Sequence, residues 1–151
     1  MIKIITVGNI KENYLKDAID EYKKRLSRYT DIEIIEVKDE SYDDIKKVLY
    51  QEASKIEKNI GEKDYIITLE IEGKEFSSEE FAKKMDNILI ENSNITFIIG
   101  GSYGLDTRIK NKSNLKLSFS KMTFPHQLFR VILLEQIYRA YKINNNESYH
   151  K

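Results

Sequence analysis

The sequence predicts an α/β fold, one domain built on a mainly parallel sheet flanked by helices, on three observations. Short β-branched, apolar runs alternate with amphipathic stretches of roughly 12–18 residues, the pattern of βαβ units. The 151 residues suit one domain. No Pro/Gly/Ser-rich linker and no repeat divides them.

Each element has its own signal. Residues 2–7, Ile-Lys-Ile-Ile-Thr-Val, form a buried strand that turns at Gly8. Residues 11–28 place Tyr14, Ala18, Ile19, Tyr22 and Leu26 at helical spacings of three and four, with Tyr29 next. Residues 32–37 are a second strand, with Ile32, Ile34, Ile35 and Val37 apolar. A helix over 42–60 carries Ile45, Val48, Leu49, Ala53, Ile56 and Ile60 and stops at Gly61. Residues 65–71 are a third strand. Ser77 followed by Glu80 is a capping-box signature that opens the next helix. Residues 95–99 run as a strand into Gly100-Gly101, a short helix follows near 106–110, and 115–119 alternate Leu115, Leu117 and Phe119 with polar residues. The last helix spans 127–143, and Asn144-Asn145-Asn146 stops it.

Composition excludes several chemistries. There is no cysteine, hence no disulfide, thiolate zinc site, iron–sulfur cluster or cysteine nucleophile, and two histidines are few for a zinc enzyme, so no metal is expected. No apolar run reaches the roughly 18 residues of a membrane span, and the N-terminus lacks a signal-peptide pattern, so the expected location is cytoplasmic, without a membrane partner. Charge is unevenly placed. Residues 110–151 hold eight Lys/Arg against two acids, whereas residues 1–109 hold 17 basic and 23 acidic residues. The C-terminal third is thus a candidate surface for an anion, or simply a solvated face.

The last helix is apolar around much of its circumference, with Leu128, Phe129, Val131 to Leu134, Ile137, Tyr138, Ala140, Tyr141 and Ile143. A helix covering one sheet needs a single stripe, so a second cover is expected, and a homodimer packed through residues 128–143 would supply it.

In parallel sheets ligands bind beyond the carboxyl ends of the strands. Three places qualify: after Val7, at Leu69 to Gly73, and at Gly100 to Gly104. Gly100 to Gly104 also matches the G-x-S-x-G pattern of a serine hydrolase around Ser102. No acid lies between Thr107 and Leu134, which disfavours that alternative. The densest segment is Ser118-Phe119-Ser120-Lys121-Met122-Thr123-Phe124-Pro125-His126-Gln127. Its hydroxyls and main-chain amides suit a polar ligand and Phe119, Met122 and Phe124 suit apolar walls, although an ordinary capped helix start has the same letters. His126 is a structural or a functional residue. Tyr149-His150-Lys151 is either a loose end or a group that closes over a neighbouring site.

These residues closely resemble the RlmH (YbeA) family, the ribosomal large-subunit methyltransferases H, over essentially the whole chain. The resemblance includes the opening Ile-Lys-Ile-Ile-Thr-Val-Gly, Ile67-Thr68-Leu69-Glu70, Gly73-Lys74, Phe97 to Ser102, the whole of Leu117 to Gln127, Glu135-Gln136, Tyr138-Arg139-Ala140 and the closing Tyr149-His150-Lys151. A shorter segment after Asp39 is the one departure. The resemblance implies a SPOUT-class fold with a deep trefoil knot near the C-terminus. It also implies S-adenosyl-L-methionine as methyl donor, S-adenosyl-L-homocysteine as product and a homodimer acting on assembled ribosomes. The target it implies is N3 of a pseudouridine in helix 69 of 23S rRNA. Carried onto matching positions, the cofactor pocket comprises Leu69, Gly100, Phe119, Ser120, Lys121, Met122, Thr123 and Phe124. The imide proton must leave, which makes His126 and His150 candidate bases or hydrogen-bond partners and Arg130 and Lys151 candidate stabilisers of the charge that forms. The tail, Tyr149 to Lys151, is expected to act in the site of the other subunit. A ribosome-binding module without catalysis is the other alternative.

Overall fold

The computed structural model describes residues 1–151, which alternate strand and helix five times: β1 (Ile2–Val7), α1 (Asn13–Leu26), β2 (Ile32–Val37), α2 (Ile45–Glu57), β3 (Tyr65–Glu75), α3 (Ser78–Glu91), β4 (Ile95–Ile99), α4 (Thr107–Lys110), β5 (Leu115–Ser118) and α5 (His126–Asn144). The strands make one sheet in the order β2-β1-β4-β3-β5, and every neighbouring pair is parallel.

The period of two along each strand divides its side chains between two faces. Ile2, Ile4, Ile67, Phe97 and Leu117 pack under α1, α3 and α5. Ile5, Val7, Val37, Ile66 and Ile98 pack with Ala53 and Ile56 of α2 and Ile109 of α4. Burial on both faces is why β1 and β4 are mostly apolar instead of alternating, with Lys3, Thr6 and Thr96 the polar positions. Ser77 and Glu80 form the capping box at α3: Ser77 Oγ accepts from the Glu80 N–H at 3.1 Å, and Glu80 Oε1 accepts from the Ser77 N–H at 2.8 Å. Asn144 ends α5, and Asn146 turns the chain at φ 55°.

All ten predicted elements are present; β1, β2 and β4 have the expected bounds, and others shift by a few residues. Helices α1 and α2 are each shorter than their periodicity suggested, because the flanking residues are turns. β3 runs to Glu75 instead of ending near 71, with an irregularity: Leu117 of β5 stands opposite both Leu69 and Lys74. Residues 70–73 therefore swing out of the ladder and return to it. Gly73 lies where β5 passes closest, and a Cβ there would stand 2.7 Å from the Lys116 carbonyl oxygen.

Helix α5 lies between α1 and α3 over the sheet. Much of the second cover that its sequence demands thus comes from this chain, Tyr22 and Tyr29 of the α1 region packing on Tyr138. Leu128 remains 41% exposed, and Val131 and Ile132 are half-buried.

The amino ends of three strands are fastened by one carboxylate. Asp64 Oδ2 accepts from Lys3 Nζ on β1 at 3.0 Å, from Thr96 Oγ1 on β4 at 2.9 Å and from the Gly61 N–H at 2.8 Å. Burial alone would raise the Asp64 pKa, but these bonds outweigh it and hold the carboxyl below its ordinary value. No helix is long and apolar enough to cross a membrane.

Candidate active site

A cavity of about 200 Å³ opens where the carboxyl ends of β3, β4 and β5 meet. Three pieces of chain build it. The first is the turn after β4, where Gly101 and Gly104 pair and the Gly104 N–H donates to the Gly101 carbonyl at 3.1 Å. A Cβ on Gly100 would collide with the Gly104 carbonyl, 2.6 Å from its carbon. Only glycine permits this fold-back, which brings backbone to the cavity wall. The second piece is the outward step of β3, from which Leu69, Glu70 and Ile71 line the cavity. The third is the stretch from Ser118 to His126 that joins β5 to α5.

That stretch is held by few bonds. Ser118 Oγ donates to the Ser120 carbonyl at 3.1 Å, and Ser120 Oγ accepts from the Met122 N–H at 3.0 Å. Among the backbone N–H groups of residues 120–124, only that of Met122 donates within the chain. Its aromatic residues are anchored: Phe119 meets Phe129 of α5 edge-on at 4.9 Å, and Phe124 stacks on Phe129 at 5.9 Å. The wall thus combines packed rings with main-chain donors, which suits a ligand with an apolar body and polar edges. Glu70 is the cavity's one carboxylate; it accepts from Thr68 Oγ1 at 2.6 Å and lies 3.7 Å from Lys110.

Seven of the eight residues expected to hold the cofactor line this cavity: Leu69, Gly100, Phe119, Ser120, Met122, Thr123 and Phe124. Lys121 does not; its side chain is exposed outside the lining. Gly101, Glu70, Ile71, Gly104, Ser118 and Phe129 line the cavity as well and had not been singled out as cofactor residues. Phe129 was detectable, since it follows His126 by three residues and so shares its helix face. The outward step of β3 left no local signal.

The five residues expected to carry catalysis are not together. His126 lines the cavity as the first residue of α5. Arg130 lies elsewhere, at the end of β1. It is 1% exposed; Nη1 donates to Glu36 Oε2 at 2.6 Å, and Nη2 donates to the carbonyls of Gly8 at 2.8 Å and Val7 at 3.2 Å. Burial pulls its pKa down, against the pull of Glu36. At the third suspected strand end, after Val7, the chain's own guanidinium bonds the last carbonyls, and the hollow beside it, lined by Ile10, Glu36 and Arg130, shares no lining residue with the cavity at β3, β4 and β5.

Tyr149, His150 and Lys151 do not line the cavity of their own chain. Tyr149 Oη donates to Glu135 Oε1 at 3.0 Å, and its ring meets Tyr138 edge-on at 4.9 Å. Burial and then the bond to Glu135 push its phenol up to about 12. His150 Nδ1 faces Arg139 Nη1 at 3.0 Å and Nε2 faces Glu79 Oε1 at 2.7 Å. Arginine can only donate, so Nδ1 accepts and Nε2 carries the hydrogen given to Glu79. That bond holds the Glu79 carboxyl below its ordinary range. The end of the chain is therefore tied to α3 and α5. Ser102 is exposed, and its hydroxyl has neither a histidine nor a carboxylate partner, so a base-activated serine is not assembled here.

Comparison with known proteins agrees with this architecture. The family model described as predicted SPOUT methyltransferase matches residues 1–150. A chain of Methanococcus vannielii is 57% identical, with 99% of each chain covered. Chains named ribosomal RNA large subunit methyltransferase H are 52% identical in Streptococcus uberis, with 99% of each chain covered, and 51% identical in Caldicellulosiruptor saccharolyticus, with 100% of each covered. The solved structure of a probable methylase family protein from Haemophilus influenzae Rd KW20 has a TM-score of 0.59 at 14% identity, covering 99% of this chain and 70% of that one, a likeness of fold. Matched from end to end by the family model and by relatives of more than half identity, the chain belongs to the SPOUT methyltransferase family, in the group of the ribosomal RNA large subunit methyltransferases H.

Proposed function

We propose that this chain, working as one cytoplasmic domain per subunit of a homodimer, methylates N3 of a pseudouridine in helix 69 of 23S rRNA on the assembled ribosome. The observation that carries the reading is the convergence of Leu69, Gly100 and the Phe119–Phe124 stretch on one cavity, in a chain whose relatives are named for methylation of large-subunit rRNA. Family membership implies the deep trefoil knot near the C-terminus.

The cavity suits S-adenosyl-L-methionine, which when bound supplies an activated methyl on a sulfonium. The free N–H groups of residues 120–124 suit its polar edges. Leu69, Ile99, Leu117 and Phe129 keep water from the reacting atoms. Gly100 brings main chain to the wall without a side chain between. His126, already in the wall, is one candidate to receive the N3 proton. His150 with Lys151, supplied by the second subunit across residues 128–143, is the other, and Tyr149 anchors that tail. Arg130 stands outside the cavity, with Nη1 and Nη2 engaged by Glu36 and the end of β1 and Nε buried without a partner, so in this reading it acts by fastening α5 to β1. The basic residues of the C-terminal third contact phosphates and position the RNA, with affinity that falls as salt rises.

The test is transfer of labelled methyl to ribosomes from a strain lacking this enzyme, followed by mass mapping of the rRNA. One methyl on one pseudouridine of helix 69 is expected. No transfer, together with no calorimetric uptake of S-adenosyl-L-methionine or S-adenosyl-L-homocysteine, overturns the reading. Deleting residues 149–151 is expected to abolish turnover and to leave cofactor binding intact; undiminished methylation by the shortened chain removes the tail from the site.

A further inference from the structure

Three large apolar side chains stand in solvent around the mouth of the cavity. Ile71, on its β3 wall, is 49% exposed, Met122, on the wall before α5, is 76% exposed, and Tyr103, between the lining residues Ser102 and Gly104, is 56% exposed. One exposed apolar side chain is ordinary, but three at one opening make a patch. Tyr103 is also held in place. It is one of the two residues spanned by the Gly101–Gly104 pairing, and the contact of Gly100 with Gly104 fixes the base of that turn. Of the other exposed tyrosines, Tyr42 and Tyr50 have a cation over the ring, Lys47 at 4.3 Å and Arg108 at 4.6 Å, whereas Tyr14, on α1, stands bare but away from the cavity. Tyr103 has no such cation, no aromatic neighbour, and no hydrogen bond from its hydroxyl within the chain.

We propose that Tyr103 is the surface on which the target nucleobase stacks, flanked by Ile71 and Met122. The inference rests on the reading of the cavity as the methyl donor's site of an RNA-modifying enzyme. A ring atom to be methylated must leave its stack to reach a donor held below a protein surface, and an unstacked base binds best on a flat apolar face. The rim offers such a face next to the cavity, on a turn that needs no reordering. Stacking uses the ring and not the hydroxyl, so phenylalanine should serve as well. The contact is to substrate and leaves the cofactor's own contacts untouched.

The experiment compares wild type, Tyr103→Ala and Tyr103→Phe in steady-state methyl transfer to ribosomes, with S-adenosyl-L-homocysteine binding measured by calorimetry and association state by light scattering. Tyr103→Ala should raise KM for ribosomes about tenfold or more, while cofactor affinity stays within about twofold and Tyr103→Phe recovers the wild-type KM. Wild-type kinetics for Tyr103→Ala overturn the contact. So does an equal loss of cofactor affinity, which would assign the ring to the donor's pocket, or a change in association state, which would make the rim a contact between copies. A wild-type protein that transfers no methyl to any ribosome tested overturns the reading of the site, and this contact with it. An active wild type beside an unchanged Tyr103→Ala overturns the contact alone.

Discussion

The two ends of the sheet are built on opposite plans. At the amino ends, the Asp64 carboxylate fastens β1, β4 and the approach to β3, and the main chain is paired across the same edge: the Ile95 N–H donates to the Met1 carbonyl at 3.1 Å and the Tyr65 N–H to the Asn94 carbonyl at 3.0 Å. At the carboxyl ends of β3, β4 and β5, glycine contacts and two serine bonds hold the chain, and backbone donors in residues 120–124 are left over. Those donors cost little without a ligand, since Lys121, Met122 and Thr123 are exposed and water can satisfy them. Locking one end is what lets the other carry unpaired, ligand-facing backbone without loosening the strands. The end of β1 differs: there the Arg130 guanidinium reaches across from α5 and bonds the Val7 and Gly8 carbonyls.

Replacing Arg130 should have the largest effect. Arg130→Ala leaves two carbonyls without this donor and empties a fully buried site beneath α5, a loss of about 3–5 kcal/mol in urea unfolding that comes mostly from the truncated side chain, since Glu36 is part-exposed and keeps the Ile10 N–H. A loss below about 1 kcal/mol with methyl transfer abolished would instead return Arg130 to the catalytic set. Next comes Asp64→Asn, at about 2–3 kcal/mol, smaller because the amide keeps the side chain's volume and one oxygen that can still accept, whereas Arg130→Ala empties the site. Asp64 has a folded-state pKa below its unfolded one, so its stabilisation is full above the unfolded value and is lost as pH falls through the folded value. Unfolding curves of wild type and Asp64→Asn should therefore converge below about pH 4. A gap that stays constant as the pH falls further below that value would contradict the assignment. Cofactor affinity should not change in Asp64→Asn. Gly100→Ala should show the converse, a stability loss of about 1–3 kcal/mol from forcing a Cβ against the Gly104 carbonyl, with cofactor affinity in calorimetry down about tenfold or more. Equal affinities in wild type and Gly100→Ala would detach the glycine turn from the donor site.

Most of the fold was legible from periodicity because apolar spacing is a local property. A strand buried on both faces, such as 95–99, is apolar at all but one position, Thr96, whatever lies around it, and the Ser77–Glu80 box closes within one turn of helix. The site was legible in part for the same reason. The strand ends at Leu69 and Gly100, and the serine-to-phenylalanine stretch before Pro125, are places in the chain, and a parallel sheet puts their kind on one edge. Where the Arg130 side chain sits was not legible, because nothing near it in sequence reveals Glu36, 94 residues away, or the Val7 carbonyl, 123 away.

By itself the sequence determined which segments are strand and helix, that the sheet is mainly parallel, and that the carboxyl ends of its strands are where a cavity is to be sought, since each follows from side-chain pattern over a few residues. Only the tertiary structure decided that β3 steps outward around β5, that the last helix finds much of its second cover on α1 and α3, that Arg130 closes the end of β1, and that the final tripeptide ties back to Glu135 and Glu79. Those facts depend on contacts between residues far apart in the chain, whose partners are chosen by the packing of the whole molecule and leave no mark on the spacing of neighbours.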